Sequence, residues 1–277
     1  MRLRSLGLSF ASPLLALLGL ALVWGPGSIL LASPAVPGPV AVKVGLVVLL
    51  GPAATAGGWL YGERLESRAW QATARQFDLT PQTGTGGLLR QPALAGTVDG
   101  RTVTVSQQFR QTQRRRQTRN KPFTHVEATV QPPAEQGVVV FPNDGSNRLV
   151  DVLEVSEDAT LVHDEEFVAV GYSDLCTRAV VSGTVRQALL DAGKPAVWVG
   201  DPSEAFTDGA TGLSDVPVGG ESLAESYLEA MTHDPALATN RGNDDPLYGE
   251  ELEREIRAVV AAADAFEDAR TRASQYA

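Results

Sequence analysis

No Asp or Glu occurs in the first 62 residues of this 277-residue chain, and the rest carries all 33. That absence divides the sequence into a lipid-compatible part and a water-compatible part. Cysteine is almost missing too: Cys176 stands alone, which excludes an intrachain disulfide and suits a reducing compartment. The three histidines, His125, His163 and His233, are widely separated and have no cysteine beside them, so they lack the spacing of a zinc motif. Gly84-Thr85-Gly86-Gly87 has no Walker lysine and reads as a flexible connector. Gly171-Tyr172-Ser173-Asp174 lacks the second glycine of a nucleophile elbow. The run His163-Asp164-Glu165-Glu166 lacks EF-hand spacing and its central glycine, and reads as a solvated turn. No catalytic residue, metal ligand or cofactor is therefore expected.

What is present in residues 1–62 is apolar. Two stretches, about 6–24 and 40–61, each approach the ~20 residues that cross a ~30 Å hydrocarbon core. Between them Gly25-Pro26-Gly27 and the proline-rich run from Ala32 to Pro39 interrupt helix, so the expected product is a transmembrane helical hairpin. Arg2 and Arg4 precede the first span, Arg64, Arg68 and Arg75 follow the second, and the turn has none. The positive-inside rule then places both termini in the cytoplasm of a two-span cell-membrane protein. Lys43 lies close enough to the outer end of its span to snorkel, and Trp24, Trp59 and Tyr61 suit the interfaces. A rival reading takes Met1 to about Ala35 as a cleaved secretory signal, but the apolar stretch exceeds a ~7 to 15 residue signal core and prolines crowd the cleavage site.

The polar part is acidic and rich in arginine. Arg outnumbers Lys 20 to 3 and the chain's net charge is −10, a balance that resembles proteins of salt-loving archaea. Residues 63–200 hold 16 acids against 15 cations, and residues 201–277 hold 17 against 5, which makes 200–248 an acidic, loop-rich segment.

Periodicity and turn residues predict an α+β domain over 82–277, mostly antiparallel sheet with packed helices and a long C-terminal helix. A juxtamembrane helix is expected within 63–81. Asp99-Gly100 between LAGTV and RTVTV is a type I′ hairpin signal. Strands follow at about 124–131, 138–141, 149–155, 166–170 and 196–199. Ser173 and Ser182 are placed to cap helices over 174–181 and 184–192, the second closed by Gly193. Cys176 falls on the apolar period of the first, as a small buried hydrophobe. Helix is expected at 221–231, a polar linker at 232–245, and helix again at 250–273, where Leu252, Ile256, Val259, Ala263 and Phe266 recur at 4-3-4-3 spacing and should pack onto the sheet. The segments Trp70 to Phe77, LAGTVDGRTVTV, EEFVAVGYSDLCTRAVVSGTVRQALLDAG and PAVWVGD together resemble a pattern in uncharacterised prokaryotic membrane proteins of haloarchaeal type. That resemblance implies two N-terminal spans ahead of an α+β cytosolic domain of unknown function, and it brings no catalytic residues.

One compact feature differs from its surroundings. Between Arg110 and Lys121 lie six cations, Arg110, Arg114, Arg115, Arg116, Arg119 and Lys121, and no acid. They are expected at a polar hairpin tip, read first as a solvated loop; the functional alternative is contact with anionic lipid headgroups, or else with an acidic protein partner or another membrane protein. Nucleic acid is disfavoured, since the aromatic platform of a single-strand binder is missing. The functional expectation is a membrane-anchored cytosolic binding or scaffolding domain; the alternative is a membrane-bound hydrolase whose site is assembled from distant residues. The acidic excess, 33 acids against 20 cations beyond residue 62, generates a prediction. Removing salt from the soluble part should unfold it as self-repulsion goes unscreened. Circular dichroism that stays constant down to low millimolar salt would reject the halophilic reading.

Overall fold

The computed structural model describes residues 68–83, 92–114, 117–143, 155–206, 234–240 and 247–276, with 53, 56, 57, 61, 64 and 65 ahead of them; for 109–122 and 276 it describes backbone alone. The chain divides into two units, 1–73 and 74–277. In the first, the described residues are helical, with Trp70 and Thr73 buried. Both expected spans lie almost wholly outside the described residues; among the described residues no helix is long and apolar enough to cross a membrane.

The second unit is α+β. Helix continues to residue 76 and then stops, because Asp78 takes a positive φ of 54° and Leu79 N–H donates to Ala74 O at 2.7 Å. The helix expected within 63–81 thus ends ahead of Thr80 and Pro81. Instead Thr80–Thr83 forms β1, an edge strand, where Pro81 is tolerated despite its missing N–H. Next come β2 (Pro92–Val98), β3 (Arg101–Arg114), β4 (Gln117–Thr129), β5 (Val138–Pro142), β6 (Thr160–His163) and β7 (Phe167–Gly171). Helices α1 (Asp174–Ala179) and α2 (Gly183–Asp191) precede β8 (Val197–Val199). A 3₁₀ turn at Ser203–Ala205, then β9 (Leu237–Asn240) and α3 (Glu250–Tyr276), complete the described elements.

All nine strands pair antiparallel in the order β1-β2-β3-β4-β9-β8-β5-β7-β6. The β2/β3 turn forms as its residues predict, with Asp99 at φ 50° and Gly100 at φ 85°. β9 corrects the expected polar linker. Its register sets Ala238 opposite Ala128 of β4 on one side and Val199 of β8 on the other. It thus joins the β1–β4 meander to the β5–β8 half, and Ala238, Thr239 and Asn240 are at most 1% exposed. Another close approach, by Ala134–Gly137, flanks β8. Gly137 N–H donates to Asp201 O at 2.7 Å and Asp201 N–H to Ala134 O at 3.0 Å, leaving no room for a side chain at Gly137 or Gly200.

Strand alternation sorts the sheet into two faces. On one, Val103, Val105, Val126, Ala128, Val138, Val140, Val197 and Val199 are buried beneath α3, which packs on β4, β8 and β9 and against α1 and α2. The helix presents Leu252, Ile256, Val259, Ala263 and Phe266, each at most 1% exposed, as their spacing predicts. Burying each of its larger apolar side chains contributes roughly 1.5–3 kcal/mol. The opposite face is covered over β5, β7 and β8, where Val139, Phe141, Val170 and Trp198 pack with Ala205 and Phe206. Over β1–β4 it stays half-exposed and polar, with Thr97, Thr102, Thr104, Ser106, His125 and Glu127.

Helix caps follow the sequence in part. Ser173 Oγ accepts from Cys176 N–H at 3.4 Å, whereas Ser182 makes no side-chain cap bond. Cys176 is buried, as its position in the apolar period predicts. Strand candidate 149–155 lies outside the described residues except Val155, which bridges to Phe206. Helix candidate 221–231 is outside them altogether.

Candidate functional site

Three groupings of polar side chains carry chemistry: a buried carboxyl under α3, a histidine cluster on the open face, and the basic β3/β4 ribbon. The first is absent from the sequence reading. Asn240, 1% exposed on β9, accepts from Val126 N–H at 2.7 Å and donates to Thr124 O at 3.2 Å and Glu255 Oε1 at 2.7 Å. Thr124 Oγ1 accepts from Leu247 N–H at 2.7 Å. Together these bonds tie β4, β9 and the approach to α3. Glu255 is fully buried, and among the described residues its Oε2 has no hydrogen-bond partner. Burial pushes its pKa up to about 7, against the opposing hydrogen bond from Asn240. In sequence Glu255 merges with an acid-rich helix start, and only its phase beside Leu252, Ile256 and Val259 signals burial.

A second, partly buried charge arrangement is structural. Arg101, immediately after the β2/β3 turn, donates both terminal nitrogens to Glu267 at 2.6 and 2.7 Å and Nε to Asp264 at 2.5 Å. Glu267 and then Asp264 hold the guanidinium above its ordinary pKa, against the opposing effect of burial. For Glu267 burial acts upward, but Arg101 and Gln131 N–H, which donates at 2.6 Å, keep the carboxyl below its usual range. This fork pins the meander to the second half of α3.

On the open face, His125 Nε2 lies 3.0 Å from Glu127 Oε1, and Thr239 Oγ1 lies 3.3 and 3.4 Å from the two ring nitrogens. Phe123 meets the imidazole edge-on at 6.3 Å. Carboxylate, imidazole and hydroxyl appear in the order a hydrolase uses, but Thr239 is 1% exposed and its hydroxyl donates to Asn240 O at 3.1 Å. It presents no attacking oxygen to solvent. His163 lies on β6, opposite Val168 of β7 and apart from this cluster; His233 is outside the described residues. Asp164, in the acidic run after β6, accepts from Glu166 N–H at 3.0 Å and Arg186 Nε at 3.1 Å. The Glu166 N–H bond, with Arg186 adding, holds its carboxyl below the usual range. Glu166 itself pairs with Lys194. That turn is an ion-paired brace against α2.

The basic segment is not a loop. β3 runs to Arg114 and β4 starts at Gln117, leaving only Arg115 and Arg116 outside the described residues. Among the described residues, no pairing of β2 or β9 extends past Ser106 or Glu127. Among the described residues, the hairpin from Gln107↔Thr124 to Arg114↔Gln117 is therefore a two-stranded ribbon of eight residue pairs, roughly 24 Å long. Its register places Arg110 opposite Lys121, Thr112 opposite Arg119 and Arg114 opposite Gln117. Directly opposed residues share a face, so Arg110, Arg114, Arg119 and Lys121 occupy one face, continuous with that of Ser106 and His125. The other carries Phe109, Gln111, Gln113, Thr118, Asn120 and Pro122.

No family model and no curated protein matches this chain. Among solved structures, mycobacterial trehalose monomycolate transport factor A, TtfA, aligns at a TM-score of 0.38 and 8% identity, covering 72% of this chain and 92% of that one.

The buried carboxyl generates a prediction. Because its folded pKa lies above the ordinary 4.5, the native state holds the extra proton. Its full stability is present below pH 4.5 and is lost as pH rises to about 7, at ~1.4 kcal/mol per pH unit and about 3 kcal/mol in all. Glu255→Gln, an amide that keeps the acceptor for Asn240, should remove this slope and raise stability above pH 7. Urea unfolding followed by tryptophan fluorescence across pH 4 to 9 reads both effects; an unchanged slope would place the titrating group elsewhere.

Proposed function

We propose that this chain is a membrane-anchored binding or scaffolding protein, its α+β domain held at the cytoplasmic face of the cell membrane by a helical hairpin within residues 1–62. The acid-free apolar part supports the anchor, and the arginines at 2, 4, 64, 68 and 75 support the orientation. The β3/β4 ribbon carries the binding reading. Two strands alone are at best marginally stable in water; the two inner pairs reach the core through Phe123 and Thr124, while the six from Phe109↔Pro122 to Arg114↔Gln117 run on beyond the described neighbours of β3 and β4. A hairpin of that length, with its charged positions sorted by register onto one face, suits contact. The half-exposed polar face of β1–β4 supplies adjoining area. The partners are the bilayer itself and either anionic headgroups or another membrane protein.

Fractionation tests the anchor and its direction. The full chain should resist extraction by alkaline carbonate, and a C-terminal tag should be protected from protease in intact spheroplasts and cleaved in inverted vesicles. Cleavage from outside would replace the hairpin by a cleaved signal with one anchor, and release by carbonate would remove the membrane reading altogether.

A further inference from the structure

We propose that the Arg110, Arg114, Arg119 and Lys121 face of the β3/β4 ribbon lies flat against an anionic lipid surface. The proposal rests on the membrane-anchored reading and specifies what that domain touches. Four of the six same-face positions in the pairs Arg110↔Lys121, Thr112↔Arg119 and Arg114↔Gln117 are cations, Thr112 and Gln117 being the other two. The opposite face of the same pairs has no charge of either sign. Successive same-face residues are about 6.8 Å apart along a strand, so the charges form a flat row about two strands wide. A planar array of phosphates engages one side of such a ribbon. A nucleic-acid groove, in contrast, surrounds a ribbon with phosphates on both walls. The charge row ends inward at Glu127, which sits beside His125 on the same face; the contact surface therefore stops where the ribbon joins the full sheet.

Salt decides how the row works. At ~1 M the Debye length is about 3 Å, so net charge attracts nothing at a distance and only cations touching phosphate contribute. One-sided placement maximises that direct contact.

The test uses the full chain in nanodiscs, either of phosphatidylcholine alone or with about one-third phosphatidylglycerol. A single fluorophore is attached through Thr112→Cys on the cationic face or Gln111→Cys on the neutral face; Cys176 is buried and stays unlabelled while the protein is folded. With anionic lipid, acrylamide should quench the Thr112 label severalfold less than the Gln111 label. The difference should disappear in phosphatidylcholine and in the Arg110→Gln/Arg114→Gln/Arg119→Gln/Lys121→Gln variant, whose unchanged melting temperature verifies folding. Arg114→Lys/Arg119→Lys, which keeps the charges, should retain it. Equal quenching of both labels in anionic discs overturns the proposal while leaving the anchor intact. So does protection independent of lipid charge, which would assign the face to a protein. Displacement by a short DNA duplex would assign it to nucleic acid. Loss of the protein from the discs themselves would instead be the failure of the anchored reading.

Discussion

The side chain of Asn240 is the bond on which the rest of the sheet depends. β4 and β8 belong to separate halves of the chain, and β9 is the strand between them. With four residues and three register pairs to each neighbour, β9 has few ladder hydrogen bonds. Asn240 adds three more, to Val126, Thr124 and Glu255, and so fixes β9 against both the meander and α3. A buried amide with donors and acceptors satisfied specifies register, since a slip by one residue would turn it to the opposite face. Glu255 gives that device its cost: a desolvated carboxyl whose second oxygen has no partner among the described residues, neutral below about pH 7.

From this joint the other features follow. α3 lies across β4, β9 and β8 because their shared face is a valine and alanine surface interrupted by Thr124 and Asn240, and Arg101 secures its second half through Glu267 and Asp264. With helices on one face and the Phe141, Trp198 and Phe206 cluster covering part of the other, the β1–β4 face is left polar and half-exposed. The ribbon grows from that open end. Its cations belong to the same face as His125 and Ser106, so the sheet register, set in the core, also sets which charges face a partner. The membrane contact proposed for them is a consequence of register carried outward.

Local chemistry made much of this fold legible in the sequence. Asp99-Gly100 determines its own turn, and five apolar residues at helical spacing determine the buried face of α3, so both could be read from short windows. β9 could not. Leu237-Ala238-Thr239-Asn240 is too short to show alternation, and its strand character comes from partners more than a hundred residues away in β4. The ribbon was legible as a basic hairpin but not as strand, because the run from Arg110 to Lys121 carries no apolar residue and hence no apolar alternation. β6 escaped for a related reason: it is an edge strand of four residues, half-exposed or exposed throughout. The six cations were found as composition; their sorting onto one face needed the register. Glu255 was hidden among the acids of the helix start, where charge suggests solvent and only helical phase says otherwise.

Amide hydrogen exchange over 234–240 tests the central claim most directly. If β9 is the joint of the sheet, the amides of Leu237–Asn240 exchange as slowly as those of β4 at Val126 and Ala128 and of α3 at Ile256 and Val259, and they open together with them. Exchange at the rate of an unstructured peptide, with β4 and α3 still protected, would contradict the account: the two halves would then be separate sheets and residues 232–245 a linker after all.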